Sequence, residues 1–180
     1  ISTFRGMMEA VSFHIAGQPP QQTTNAELDS VRAGADANYL SELYFHYGRY
    51  LLISSSVCGK LPANLQGKWN ELIAPPWDSD YHFDINLEMN YWMAEPCGMT
   101  ACAEALFQYI EKFYESGAKA AKELYGCRGI WLPIQGDAWA KATPEAYGWA
   151  VWIGAAAWIA QHFWMHYIYN GCLLYTSDAA

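Results

Sequence analysis

Apolar residues in this chain recur at helical spacing. No segment of weight shows the period of two that a half-buried strand needs, and this confines the chain to an all-α fold class. From Asn38 onward Leu40, Leu43, Tyr44, Tyr47 and Leu51 follow the i, i+3, i+4, i+7 rule, and Gly59 is expected to end that helix after Ser54-Ser55-Ser56. Helical spacing resumes at INLEMNYWMAE and stops at Pro96, which cannot continue a helix. Thr100 is the expected cap of the next helix, in which Ala103, Leu106, Phe107, Ile110, Phe113 and Tyr114 form one apolar face. A separate short helix is expected after Ser116, closing at Gly126 as a left-handed cap. The last helix, from about Trp149 to Tyr169, is apolar nearly all round. It is long enough to span a bilayer. Gln161, His162 and His166 in its C-terminal half, with Ala155, Ala156, Ala157 and Ala160 suited to close packing, assign it instead to a protein core, so no membrane span is expected.

Between the helices lie segments without period. Residues 17–27 are polar and turn-rich and read as a linker loop. Two longer loops, GKLPANLQGKWNELIAPPWDSDYHFD and CRGIWLPIQGDAWAKATPEAYG, are rich in Trp, Pro and Gly. Loops of that length are usually functional or disordered, and their aromatic content argues against disorder. They are expected to gather on one side of the helices. Composition agrees: nine Trp, thirteen Tyr and seven Phe exceed what core filling asks of 180 residues. Surplus aromatic faces suit apolar pockets and the faces of sugar rings. Eighteen acidic against ten basic residues, a net charge of −8, exclude a nucleic-acid partner, since phosphate binding wants a basic stripe.

The densest polar constellation is Asp84-Ile85-Asn86-Leu87-Glu88-Met89-Asn90-Tyr91-Trp92. If the chain is extended through Asn86 and helical afterwards, Asp84 and Asn86 share one face and enter a cleft together. A carboxylate beside an amide can hold a water and orient its lone pair for attack. The plainer reading, favoured by spacing alone, is that one of the two caps the helix. His162 and His166 stand one turn apart, but Phe163 follows His162 where a HExxH zinc helix has Glu, so they read as core or rim residues. There is no phosphate loop and no GxSxG, and neither metal nor cofactor is expected. Asp78, Glu95, Asp137 and Glu145 read as structural carboxylates. Without a CxxC pair, Cys58, Cys97, Cys102 and Cys127 read as buried free thiols. The final CLLYTSDAA breaks off the preceding pattern and resembles a translated sequencing adapter.

The stretch LPANLQGKWNELIAPPWDSDYHFDINLEMNYWMAEP closely resembles the catalytic signature of glycoside hydrolase family 95, the α-L-fucosidase family. The resemblance extends to YFHYGRYLLISSS upstream and to GCRGIWLP, GDAWAKATPEAYGW and WIAQHFWMHY downstream. It implies the first part of an (α/α)6 barrel over 37–171, preceded by a linker region over 1–36 and followed by a foreign tail over 172–180. It also implies inverting hydrolysis of a terminal α-L-fucosyl residue in an oligosaccharide or glycan, with a general acid and a second carboxylate roughly 6.5–9.5 Å apart to admit the water. Both would lie beyond Gly171. In the family an N-x-N pair helps orient that water. Here its second member is Asn86, while its first is replaced by Asp84. A carboxylate there either accepts the water's proton or rearranges the hydrogen bonds around it. Met165 likewise stands where relatives carry Glu. Trp69, Asn70, Trp77, His82 and Trp92 are candidates for the sugar pocket. The rival readings are another α-L-sugar such as L-galactose, and a binding scaffold that has lost its acid.

Overall fold

A computed structural model describes residues 2–15, 17, 19–57, 61–144 and 151–171. Among them are six helices, α1 (Ser2–Glu9), α2 (Thr24–Arg32), α3 (Asn38–Ser56), α4 (Asn86–Trp92), α5 (Thr100–Tyr125) and α6 (Ala155–Asn170), and two strands of two residues, β1 (Tyr81–His82) and β2 (Gln135–Gly136). The chain is all-α, as its periodicity requires. Cys58, Gly59, Glu145, Trp149 and the tail over 172–180 lie outside the described residues.

Several local expectations are corrected. The supposed linker loop turns helical at Thr24, because Thr23 caps α2 by accepting from the Ala26 N–H at 3.3 Å. Thr100 caps nothing. It is the first residue of α5, Met99 takes the cap position, and the Thr100 hydroxyl donates to Glu95 at 2.8 Å. The two helices expected over 100–125 are one helix of 26 residues. Gly117 does not break it; the missing side chain there admits the Trp131 backbone, whose carbonyl would stand 3.0 Å from a Cβ and whose N–H bonds the Gly117 carbonyl at 3.1 Å. Gly126 does end α5, with φ 65°. Ala103, Leu106, Phe107, Ile110 and Phe113 are buried along it, whereas Tyr114 lies off that stripe and is exposed. The last helix starts at Ala155, since Val151–Gly154 is not helical. Ala155, Ile159, Phe163 and His166 form its buried stripe, and Trp164 and Ile168 face outward. No described helix is long and apolar enough to cross a membrane.

The N-terminal segment is tied down by one side chain. Arg49 of α3 is fully buried and donates to the carbonyls of Met7 (2.7 Å), Met8 (2.9 Å), Val11 (3.1 Å) and Cys97 (3.3 Å). Two of these are among the carbonyls that α1 leaves without partners at its C-terminus, where a cation is also favoured by the helix dipole.

The two long loops meet. β1 pairs antiparallel with β2, Tyr81 opposite Gly136 and His82 opposite Gln135. Beneath the pair, Tyr81, Phe83, Tyr109 and Phe113 form an aromatic cluster with centroids 4.6 Å (Tyr81–Tyr109), 5.4 Å (Phe83–Phe113) and 5.1 Å (Tyr109–Phe113) apart. Gly136 lies hard against it: a Cβ there would fall 2.7 Å from the Phe83 ring and 2.8 Å from the Tyr109 hydroxyl.

Candidate active site

The segment carrying the polar constellation is held from both sides. The Phe83 N–H donates to the Ile134 carbonyl at 2.8 Å, and the Trp152 indole donates to the Phe83 carbonyl at 2.8 Å. With Phe83 fully buried in the aromatic cluster, its neighbours His82 and Asp84 are fixed in space. The M-N-Y-W run performs a related task. Asn90 donates to the Asn64 carbonyl at 3.2 Å, and the Tyr91 hydroxyl bonds Ser56 at 2.7 Å and accepts the Ala63 N–H at 2.7 Å. Burial pushes the Tyr91 phenol upward, so it serves as a neutral pin for the loop after α3.

The expectation of an extended chain through Asn86 is corrected. Extension stops at His82, a turn covers Phe83–Ile85, and α4 begins at Asn86. The capping alternative fails as well: Ile85 holds the N-cap position, and no side chain bonds the helix end. Asp84 is half-buried and turns its Oδ1 into the interior without a hydrogen-bond partner, while Asn86 opens to solvent. No hydrogen bond joins the two. A carboxylate oxygen buried without a partner costs free energy.

His82 has a partner that the sequence reading did not single out. Its Nδ1 contacts Asp80, whose other oxygen accepts from Gln135 Nε2 at 2.8 Å. Burial raises the Asp80 carboxyl, and the bonds from Gln135 and the charge of His82 oppose that rise. Asp80 and His82 lie two apart in extended chain and so share a face, a signal that was legible. Gln135 arrives only through the β1–β2 pairing. Together with Asp78, Gly136, Asp137, Lys141 and Thr143, Asp80 and Gln135 line a cleft of about 230 Å³.

The aromatic candidates divide. Trp69 lines a second cavity, of about 300 Å³, between α3, α4 and the loop after α3, with Asn90 and Met89 on its far wall. Asn70 spends its amide on a local turn, donating to the Leu72 carbonyl and accepting the Leu72 N–H. Trp92 is exposed on α4. Trp77 is 71% exposed on a tight turn beside the acidic cleft, with φ 47° and ψ 37°. Neither cavity is lined by Asp84, Asn86 or Trp92. Left-handed backbone at a bulky residue costs about 1–2 kcal/mol. Trp77→Gly is therefore expected to raise stability by about 1 kcal/mol, net of the flexibility Gly adds to the unfolded chain. Denaturant unfolding of the two forms checks this, and a less stable variant would show that the indole packs rather than strains.

Two further titratable groups fasten helices together. Glu95 is buried, accepting from Asn170 at 2.8 Å and bonding His166 Nδ1 at 2.6 Å, so His166 is a core residue that fastens α6 to the end of α4. Burial pushes His162 down to about 4, leaving it neutral. Of the thiols, Cys102 is buried and pushed up to about 12, but Cys97 is half-buried and Cys127 exposed, against the expectation of four buried ones.

The glycosyl hydrolase family 95 catalytic domain matches residues 1–178, and the chain belongs to that family. It is 40% identical to "Alpha-L-fucosidase 2" of Arabidopsis thaliana over 179 residues, which make up 94% of this chain and 21% of that protein. It is 39% identical to "Probable alpha-fucosidase A" of Aspergillus niger over 135 residues, 73% of this chain and 17% of that one. The chain thus spans about a fifth of the length of these relatives.

Proposed function

We propose that this chain forms the first part of an (α/α)6 catalytic barrel of an inverting exo-glycosidase that removes terminal α-L-fucosyl residues from glycans. The observation that carries the reading is the Asp84 loop. The family's water-holding motif falls on the turn that β1, β2 and the buried Phe83 immobilise, and it offers a buried oxygen without a partner. Asp84 and Asn86 hold the attacking water, and the general acid comes from the remainder of the barrel. His82, fixed by Asp80, orients a sugar hydroxyl, with Trp69, Asn70, Trp77 and Trp92 as further contacts.

One observation favours a second reading within the family. Asp84 replaces an asparagine, and a carboxylate prefers a substrate hydroxyl that donates to it, so another α-L-sugar such as L-galactose is the alternative. Hydrolysis of fucosyl and L-galactosyl oligosaccharides by the full-length protein, with the anomer of the released sugar followed over time, tests both. Release of the inverted anomer from the fucoside is expected, and the 180-residue chain alone is expected to hydrolyse neither. Turnover by the 180-residue chain would place the acid within it. A full-length protein that binds both sugars and cleaves none would be a binding scaffold.

A further inference from the structure

Glu88 has no role in the proposed chemistry. It stands on the first turn of α4, four residues after Asp84, and is fully buried. Both of its carboxyl oxygens lack a hydrogen-bond partner, and so does the buried Oδ1 of Asp84. Three acceptor atoms without donors are costly if both groups are ionised, because like charges repel and the buried Glu88 has no solvent to stabilise its charge. The conflict is removed by one proton. A protonated carboxyl has an O–H to give, which an ionised one has not.

We propose that Glu88 is a positioning residue for Asp84: held protonated inside the core, it supplies the O–H that the buried Asp84 oxygen lacks and so fixes how the Asp84 carboxylate presents its remaining lone pairs. This rests on the reading of Asp84 as a water-holding residue and names what controls it. Burial, chiefly, and the charge of Asp84 raise Glu88 from 4.5 to about 7. Of the histidines on elements packed against α4, His82 of β1 contacts Asp80 and His166 of α6 bonds Glu95. Glu88 therefore holds its proton up to about 7. When that proton leaves above about 7, Asp84 loses its donor and the attacking water loses its orientation.

The test is the dependence of kcat and KM on pH in the full-length protein, with a fucosyl oligosaccharide as substrate, for the wild type, Glu88→Gln and Glu88→Leu. The wild type is expected to lose kcat on the alkaline side of about 7. Glu88→Gln keeps a donor at every pH, so it is expected to recover turnover and to move that alkaline limb upward by about one unit or more. Glu88→Leu fills the same space without a donor. It is expected to fold at least as well and to lose about 10- to 100-fold in kcat, as removal of a group that orients a reactive one does. An alkaline limb unmoved in Glu88→Gln, or full turnover in Glu88→Leu, overturns the proposal. Stability provides a readout independent of substrate. A Glu raised in the folded state makes stability fall as pH rises from its ordinary 4.5 to about 7, because the unfolded chain has already released the proton. That fall should vanish in Glu88→Gln and shrink in Asp84→Asn. If the wild type cleaves no α-L-glycoside, the proposed activity fails, and the stability profile still decides whether Glu88 is held protonated: a flat one overturns it.

Discussion

Asp84→Ala in the full-length protein is expected to lower kcat by roughly 10²–10⁴-fold, the span of general-base contributions, with little change in KM. A water held by Asp84 would be engaged in the transition state, so its loss would remove differential rather than uniform binding. Asp84→Asn restores the amide pair of the family motif and should keep more activity than Asp84→Ala. The capping alternative would predict instead a loss of about 1 kcal/mol in stability with kcat intact. The position of Ile85 at the N-cap already argues against it. Steady-state kinetics and denaturant unfolding of both variants decide the matter. A fully active Asp84→Ala protein would remove Asp84 from the reaction.

Arg49→Ala is expected to be the most damaging substitution for folding, at about 3–5 kcal/mol. Its guanidinium serves four carbonyls in a fully buried place, and truncation leaves those acceptors without water or protein to bond them. The empty volume adds a cavity term. Arg49→Lys should recover only part of the loss, because one ammonium cannot reach carbonyls spread around a planar fork. Chemical denaturation of the full-length variants measures this. An Arg49→Ala protein within 1 kcal/mol of the wild type would mean that α1 and its carbonyls are readily solvated, with the N-terminal segment contributing little to the fold.

The residues that could be read in advance share a physical cause. Helical spacing exposes the buried stripe of α5 because that helix buries apolar side chains against its own chain, and Gly126 announces itself because a left-handed cap favours Gly. In α3 the spacing marks the helix but not its buried face, since Tyr44 and Tyr47 are exposed while Leu52 and Ile53 are buried. Gly117 misled because propensity treats glycine as a helix breaker, and only the tertiary approach of Trp131 reveals why it is tolerated. Arg49 escaped notice for a related reason: its partners are backbone carbonyls far away in sequence, and carbonyls carry no signature. At the site, Asp84 and Asn86 were visible as types, but the turn that parts them was not. Gln135 reaches Asp80 only across a strand pair too short to leave a periodic trace.

That pair of strands also orders events in time. Tyr81 meets Gly136 only after all of α4 and α5 have been laid down between them, so its closure must await a long excursion of the chain, whereas each helix can form from its own neighbours. The turn bearing Asp84 acquires its shape from that closure. Helices are thus expected early in folding and the turn bearing Asp84 late, with an apolar framework in place before the two long loops have met.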